Sequence, residues 1–291
     1  MTKKYQNFIP TVWSARLIAN LDKDFVYPLC VNRDYEGEIK NVGDTVKINQ
    51  IGNVTIGDYK GTITEPEELT SEQKVLVIDK SKFFNFKVDD IQKAQSNVNL
   101  IDEAMGRASV GLADVVDQEI ATLTSEAENK LGKTDSAIVI DTPEKAYDLL
   151  VDIKVALNKA NAPKENRFVV VCPEFLGMLE KDARFTRHEG VLTDGVAGVV
   201  AGMEVRESNN IPYDEGKKEF SILAGSKSAI TFAGQVTHIE PYRLEKSFAD
   251  AVKGLYCYGM KVLQPKALVN ATVKVGAEAM AMASTRAKAT K

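Results

Sequence analysis

Two histidines and three cysteines, His188, His238, Cys30, Cys172 and Cys257, are all this chain of 291 residues offers for soft metal ligation and for thiol or imidazole chemistry. A zinc site takes three or four protein ligands, mostly of these types. The five are scattered, and the histidines are not at helical i, i+4 spacing. Three cysteines so far apart are no disulfide framework either. Cys172 has the best credentials as a nucleophile: it ends an apolar run before Pro173, and His188 follows in the same region. A thiol attacks only as a thiolate in a polar, partly exposed place. A cysteine on an apolar strand ordinarily packs as a small buried hydrophobe, and that is the stronger reading here.

The remaining catalytic spacings fail in turn. Gly195, Gly198 and Gly202 run G-x-x-G-x-x-x-G, which is not the dinucleotide spacing, so turn glycines explain them better. Gly225-Ser226-Lys227-Ser228 ends like a phosphate loop, but Phe220 stands where the first glycine belongs. No G-x-S-x-G elbow occurs. The sequons at Asn53 and Asn270 carry no meaning in a cytoplasmic protein. Asp102, Glu103, Asp114, Asp117, Glu119, Glu126 and Glu128 form a run that reads as a solvated helix face, not as two acids converging on one bond. The chain therefore predicts no catalytic residue, no metal and no cofactor.

The elements that carry these residues follow from periodicity. Residues 11–25 read as a short amphipathic helix near the start, with Trp13 and Leu17 four apart and Ile18, Leu21 and Phe25 on the adjacent stripe. It docks either on its own core or on a neighbour. Residues 44–88 read as β, with strands at 45–49, 74–79 and 84–88 around a Gly-, Thr- and acid-rich stretch at 51–72. The unit is expected to be one long two-stranded hairpin that projects from the body, marginal in water unless it lies on a partner surface. Residues 97–131 predict one long helix, closed by Gly132 and about 50 Å in length at ~1.5 Å per residue. Residues 134–235 predict a compact α/β unit. In it, a strand at 137–140, a helix opened by Pro143, an apolar strand at 168–172 and a helix from Pro173 follow in order. Strands return at 220–223, 229–232, 236–240, 255–262 and 267–273, and 276–291 is an Ala-rich tail.

Composition narrows the class further. Hydrophobic residues make up 44% and charged residues 27%, which is globular. Lys and Arg number 37 against 41 Asp and Glu, a net charge of −4, so the chain has no basic footprint for gripping nucleic acid. No apolar run approaches the ~18 residues of a membrane span, and no signal-peptide core follows the N-terminus. The expected setting is a reducing cytoplasm.

Several stretches, in order, give the chain a family likeness. They are Phe8-Ile9-Pro10-Thr11-Val12-Trp13-Ser14-Ala15-Arg16, Val42-Gly43-Asp44-Thr45-Val46, and Ala160-Asn161-Ala162-Pro163 with Arg167-Phe168-Val169-Val170-Val171. Gly202-Met203-Glu204-Val205, Ser208-Asn209-Asn210-Ile211-Pro212 and Gly254-Leu255-Tyr256-Cys257-Tyr258-Gly259 complete the set. Over roughly residues 8–275 the chain resembles the major capsid proteins of tailed bacteriophages with the Hong Kong 97 fold. The resemblance implies an α+β fold with an N-terminal arm (1–40) and an extended hairpin loop (41–88). It implies a peripheral domain with a spine helix (89–133), an axial α/β domain (134–235), peripheral return strands (236–275) and a tail (276–291).

The implied function is self-assembly. Pentamers and hexamers of one chain would close into an icosahedral shell around double-stranded DNA that is enclosed without sequence-specific binding. Trp13, Leu17, Leu21 and Phe25 on the arm, and Ile51, Val54, Ile56 and Tyr59 on the loop, are the candidate subunit-interface residues. Scaffolding, portal and decoration proteins are implied partners, membranes are not, and the location is the virion after synthesis in the host cytoplasm. Removing residues 1–27 is expected to impair assembly more than folding. Two alternatives stand: an encapsulin-type compartment shell, and a cytoplasmic thiol hydrolase using Cys172 and His188.

Overall fold

Period-two alternation in two separate segments closes into one antiparallel ladder. The computed structural model describes residues 17–18, 20–21, 24–36, 43–51, 71–89, 100–132, 136–182, 196–244 and 249–276. A four-residue helix, α1 (Tyr27–Cys30), precedes the strands. The ladder is β1 (Thr45–Ile51) with β2 (Ser71–Val77), in register from Thr45 opposite Val77 to Ile51 opposite Ser71. Val46, Ile48 and Leu76 point inward and are buried, while their alternates are exposed.

The third expected strand of this unit belongs elsewhere. β3 (Lys80–Asp89) leaves the hairpin after Ile78 and Asp79 and joins a different sheet. The hairpin is therefore two-stranded.

The long helix is also shorter than its periodicity predicts. α2 covers Leu100–Thr122, 23 residues, or about 35 Å at ~1.5 Å per residue. A 3-10 turn follows at Leu123–Glu126, Ala127 is extended, and Asn129–Leu131 forms β4. Hydroxyls cause the unwinding. Thr122 donates to the Glu119 carbonyl, Thr124 to the Ala121 carbonyl and Ser125 to the Thr122 carbonyl, at 2.6, 2.6 and 2.9 Å. Such back-bonding competes with the helix ladder. Gly132 closes β4, not a helix.

The α/β unit follows as predicted: β5 (Ile138–Ile140), α3 (Pro143–Lys159), β6 (Arg167–Val171) and α4 (Pro173–Glu180). β7 (Val196–Val200) and β8 (Met203–Glu207) form a hairpin whose two loop residues, Ala201 and Gly202, have φ of 52° and 79°. Positive φ at both centres matches a type I′ turn, which suits the twist of the strands. β9 (Tyr213–Asp214) and β10 (Glu219–Ser226) follow. The two expected strands at 229–232 and 236–240 are one, β11 (Ile230–Arg243), bulged between Val236 and His238. β12 (Ala249–Val262) and β13 (Leu268–Val275) complete the chain.

Two larger sheets organise the body. The eight-stranded sheet runs β4-β13-β10-β6-β8-β7, with β5 beside β13 and β9 beside β10. β6 lies in its middle and is buried at every residue, which is why it reads Phe-Val-Val-Val after Arg167. α3 buries Ala146, Leu149, Leu150, Ile153 and Leu157 in the same core. The three-stranded sheet is β11-β12-β3. β13, assigned by the sequence to the peripheral returns, is hydrogen-bonded to β10 and parallel to β4 and β5. The stretch 268–275 thus joins the sheet of the α/β unit.

One arginine closes the main loop of that unit. Arg167 is buried, and its guanidinium donates to the carbonyls of Pro163 and Ala162, both at 2.7 Å, and to Asn158 Oδ1 at 2.9 Å. It holds the turn after α3, where Asn161 and Asn166 both have positive φ.

Candidate functional site

The chemical candidates resolve first. Cys172 lies at the head of α4 and is buried, and burial pushes its thiol up to about 12. A thiol held neutral cannot serve as a nucleophile at neutral pH. Its proposed partner His188 lies outside the described residues. Cys30 and Cys257 are buried as well, and burial likewise pushes Cys30 up to about 12. Gly225 to Ser228 is no phosphate loop, because Gly225 and Ser226 end β10. Asn270 sits within β13. Among the described residues no group of three or more His, Cys, Asp or Glu could hold a metal, and no helix is long and apolar enough to cross a membrane.

The segment entering from the N-terminus is stitched into the body. Leu17, Leu21 and Phe25 are buried in the main core, with Phe25 edge-on to Phe232. Of the two docking readings, these residues follow the first: they pack on the chain's own core. Helical spacing alone could not choose, because it places an apolar stripe without naming what covers it. Ile18, 44% exposed, faces outward instead. Trp13 lies outside the described residues. Beyond α1, Asn32 pairs with the start of β11, donating to the Ile230 carbonyl and accepting from Phe232 N–H.

Two acids of the expected solvated face also turn inward. Asp117 is buried and accepts the backbone N–H groups of Val26 and Tyr27. Glu119 receives Lys80 and Lys82 from β3 at 2.7 and 2.9 Å. Partial burial works against ionisation of Glu119, but the two lysines outweigh it and hold the carboxyl below its usual range. The pair braces the three-stranded sheet on α2.

The hairpin is rooted in a second small core. Val46, Ile48, Leu76 and Ile78 pack on Ala233, Cys257 and Leu263. The Lys74 ammonium donates to the Leu263 carbonyl. Gly259 permits this approach, because a Cβ there would lie 2.2 Å from the Val77 carbonyl oxygen. The root is thus stable on the chain's own sheet, contrary to the expectation of a hairpin wholly dependent on a partner. Its outward residues Val75 and Val77 are exposed. Ile51 ends β1, and Val54, Ile56 and Tyr59 lie outside the described residues.

Beside the root opens an apolar groove of ≈380 Å³ on the three-stranded sheet. Phe83 forms one wall and is 79% exposed; Leu255, His238, Glu240 and Lys253 are among the residues that line the rest. Lys253 pairs with Glu240 at 2.9 Å. Sequence reasoning missed Phe83, although adjacent Phe83 and Phe84 in a strand must face opposite ways. Phe84 stacks on Phe86 and packs against the main core, which leaves Phe83 outside. None of these surfaces has the converging reactive groups that chemistry needs; what they offer is apolar area for contact.

Comparison with known proteins bears on what such surfaces are for. Residues 71–271 match the family model described as phage capsid protein. No curated protein sequence matches the chain significantly. Among solved structures, one from Mycobacterium phage Che8 is similar, with 29% identity over 86% of this chain and 90% of that chain, and a TM-score of 0.66. The capsid structure of cyanophage P-SCSP1u has 14% identity, covers 84% of this chain and 86% of that one, and gives a TM-score of 0.62. A virus-like particle from Pyrococcus furiosus has 14% identity, covers 90% and 98%, and gives 0.57. The last two speak for the fold alone. The α+β fold is Hong Kong 97-like, as the resemblance implied.

Proposed function

The chain belongs to the phage capsid protein family, and from that premise we propose that it is the major shell subunit of a tailed bacteriophage. Members are structural proteins, and the chain is not an enzyme. Copies cluster in fives and sixes and close into an icosahedral shell around double-stranded DNA. The observation that carries this reading is the family match over 71–271, which spans β2, β3, α2 and most of both larger sheets. Exposed Val75, Val77 and Phe83 support it, since a lone chain gains nothing by leaving them in water. In a shell each modest contact repeats in every copy, and the contacts add through multivalency. Head-to-tail contacts that close into rings let one chain build both cluster sizes.

The net charge of −4 supports a shell that contains DNA without reading it. Scaffolding, portal and decoration proteins are the expected partners. Synthesis takes place in the host cytoplasm, and assembly needs no membrane. The interface role expected for Trp13, Ile51, Val54, Ile56 and Tyr59 belongs to this proposal.

The likeness to the Pyrococcus furiosus particle favours a second reading, an encapsulin-type compartment with protein cargo. Nuclease treatment of particles from the producing cells separates the two. The capsid reading expects nuclease-protected double-stranded DNA of genome length. Protein cargo with no such DNA would overturn it in favour of the compartment.

A further inference from the structure

Asp117 ties the start of the described chain to the middle of α2. Its two oxygens accept Val26 N–H at 3.1 Å and Tyr27 N–H at 3.2 Å, from residues 91 and 90 positions earlier. These donors open α1, whose own N-cap, Val26, supplies no side-chain bond. Asp117 is thus a cap lent by another element, and it is only 2% exposed.

The groups facing it are mostly of its own sign. Asp24 on the entering segment, Asp114 one turn earlier on α2 and Glu207 at the end of β8 line the same polar cavity of ≈490 Å³. Arg206 of β8 also lines it but is paired with Glu204. Asp24 accepts the Ser109 hydroxyl at 3.3 Å, and Asp114 accepts the Asn210 amide at 3.1 Å. From α1 the neutral groups Tyr27 and Cys30 face it. When the segment docks, it strips water from a carboxylate and returns two N–H bonds but no cation. Burying an ionised carboxyl on those terms is costly.

We propose that docking of segment 24–31 on α2 is proton-linked through Asp117, so that the segment is held tightest when this carboxyl is protonated and loosens as it ionises. The sign follows from linkage. Burial pushes docked Asp117 up to about 7, with Asp114 adding to the rise, although the two N–H bonds pull the other way. Undocking returns the group to water and to an ordinary carboxylate value of about 4. Between those values docking takes up a proton, so its equilibrium weakens by at most about tenfold for each pH unit gained. Above about 7 it levels off. The inference concerns the single chain and does not depend on the shell.

Hydrogen exchange read by mass spectrometry on the full-length protein tests it. Protection factors of peptides covering 24–31, corrected for intrinsic exchange, are followed in steps from about pH 5.5 to about pH 8, with β10 peptides as the internal reference. The expected result is a loss of about tenfold or more in protection of the segment at the higher pH, with β10 unchanged. Asp117→Asn abolishes the difference. Asp114→Asn, which removes a repulsive neighbour without touching the segment, moves the midpoint to lower pH. Equal protection at both pH values overturns the proposal, as does a pH dependence that survives in Asp117→Asn. A midpoint unmoved in Asp114→Asn also overturns it, and this arm decides the matter even where the Asp117 variant fails to fold.

Discussion

Arg167 shows what one buried charge does for the loop it ends. Its three donors hold the carbonyls and amide that α3 leaves behind. Arg167→Ala should cost about 2–4 kcal/mol in urea denaturation, because the buried acceptors lose charged partners. Arg167→Lys should recover less than half of that, since one ammonium cannot span a forked set. Phe83 is the opposite case. It is almost fully in water, so Phe83→Ser should leave stability within about 0.5 kcal/mol, yet weaken assembly as read by light scattering. An equal loss of folding and assembly would place Phe83 in the core. At this scale the sequence was half legible. Cys172 was rightly read as a packing residue. Asp117 was read with the solvated acids, although it lies four residues after Ala113 and three before Ile120, on the buried stripe. Charge type outweighed position in that reading, and position was the better guide.

The elements were legible where a single period ran without competition. α3, β6 and α4 follow the pattern because apolar spacing, Pro143 and Pro173 agree. α2 did not, because Leu123, Ala127 and Leu131 continue the helical spacing while Thr122, Thr124 and Ser125 divert the backbone. The assignment of β3 failed for another reason: pairing to β12 is a contact across 160 positions or more, which local pattern cannot contain. The entering segment changes the truncation expected from the sequence. Leu17, Leu21, Phe25 and Tyr27 are core residues, so removal of 1–27 should lower the subunit's melting temperature as well as impair assembly. Each large apolar deletion costs about 2–5 kcal/mol. Removal of 1–16 alone should reduce shell yield. Equal yield would deny the arm a role in assembly.

At the scale of the molecule, three sheets divide the labour. The eight-stranded sheet with α3 and α4 supplies the main core. The three-stranded sheet, braced on α2 through Glu119, presents the Phe83 groove. The two-stranded ladder is rooted on the body by Val46, Ile48, Leu76 and Ile78. The order of these parts was visible in the sequence. Their docking was not, because it rests on burial and long-range pairing. Electron microscopy of the purified protein under assembly conditions tests the central claim most directly. The account predicts closed icosahedral shells, or free rings of five and six copies; folded monomers under every condition would contradict it.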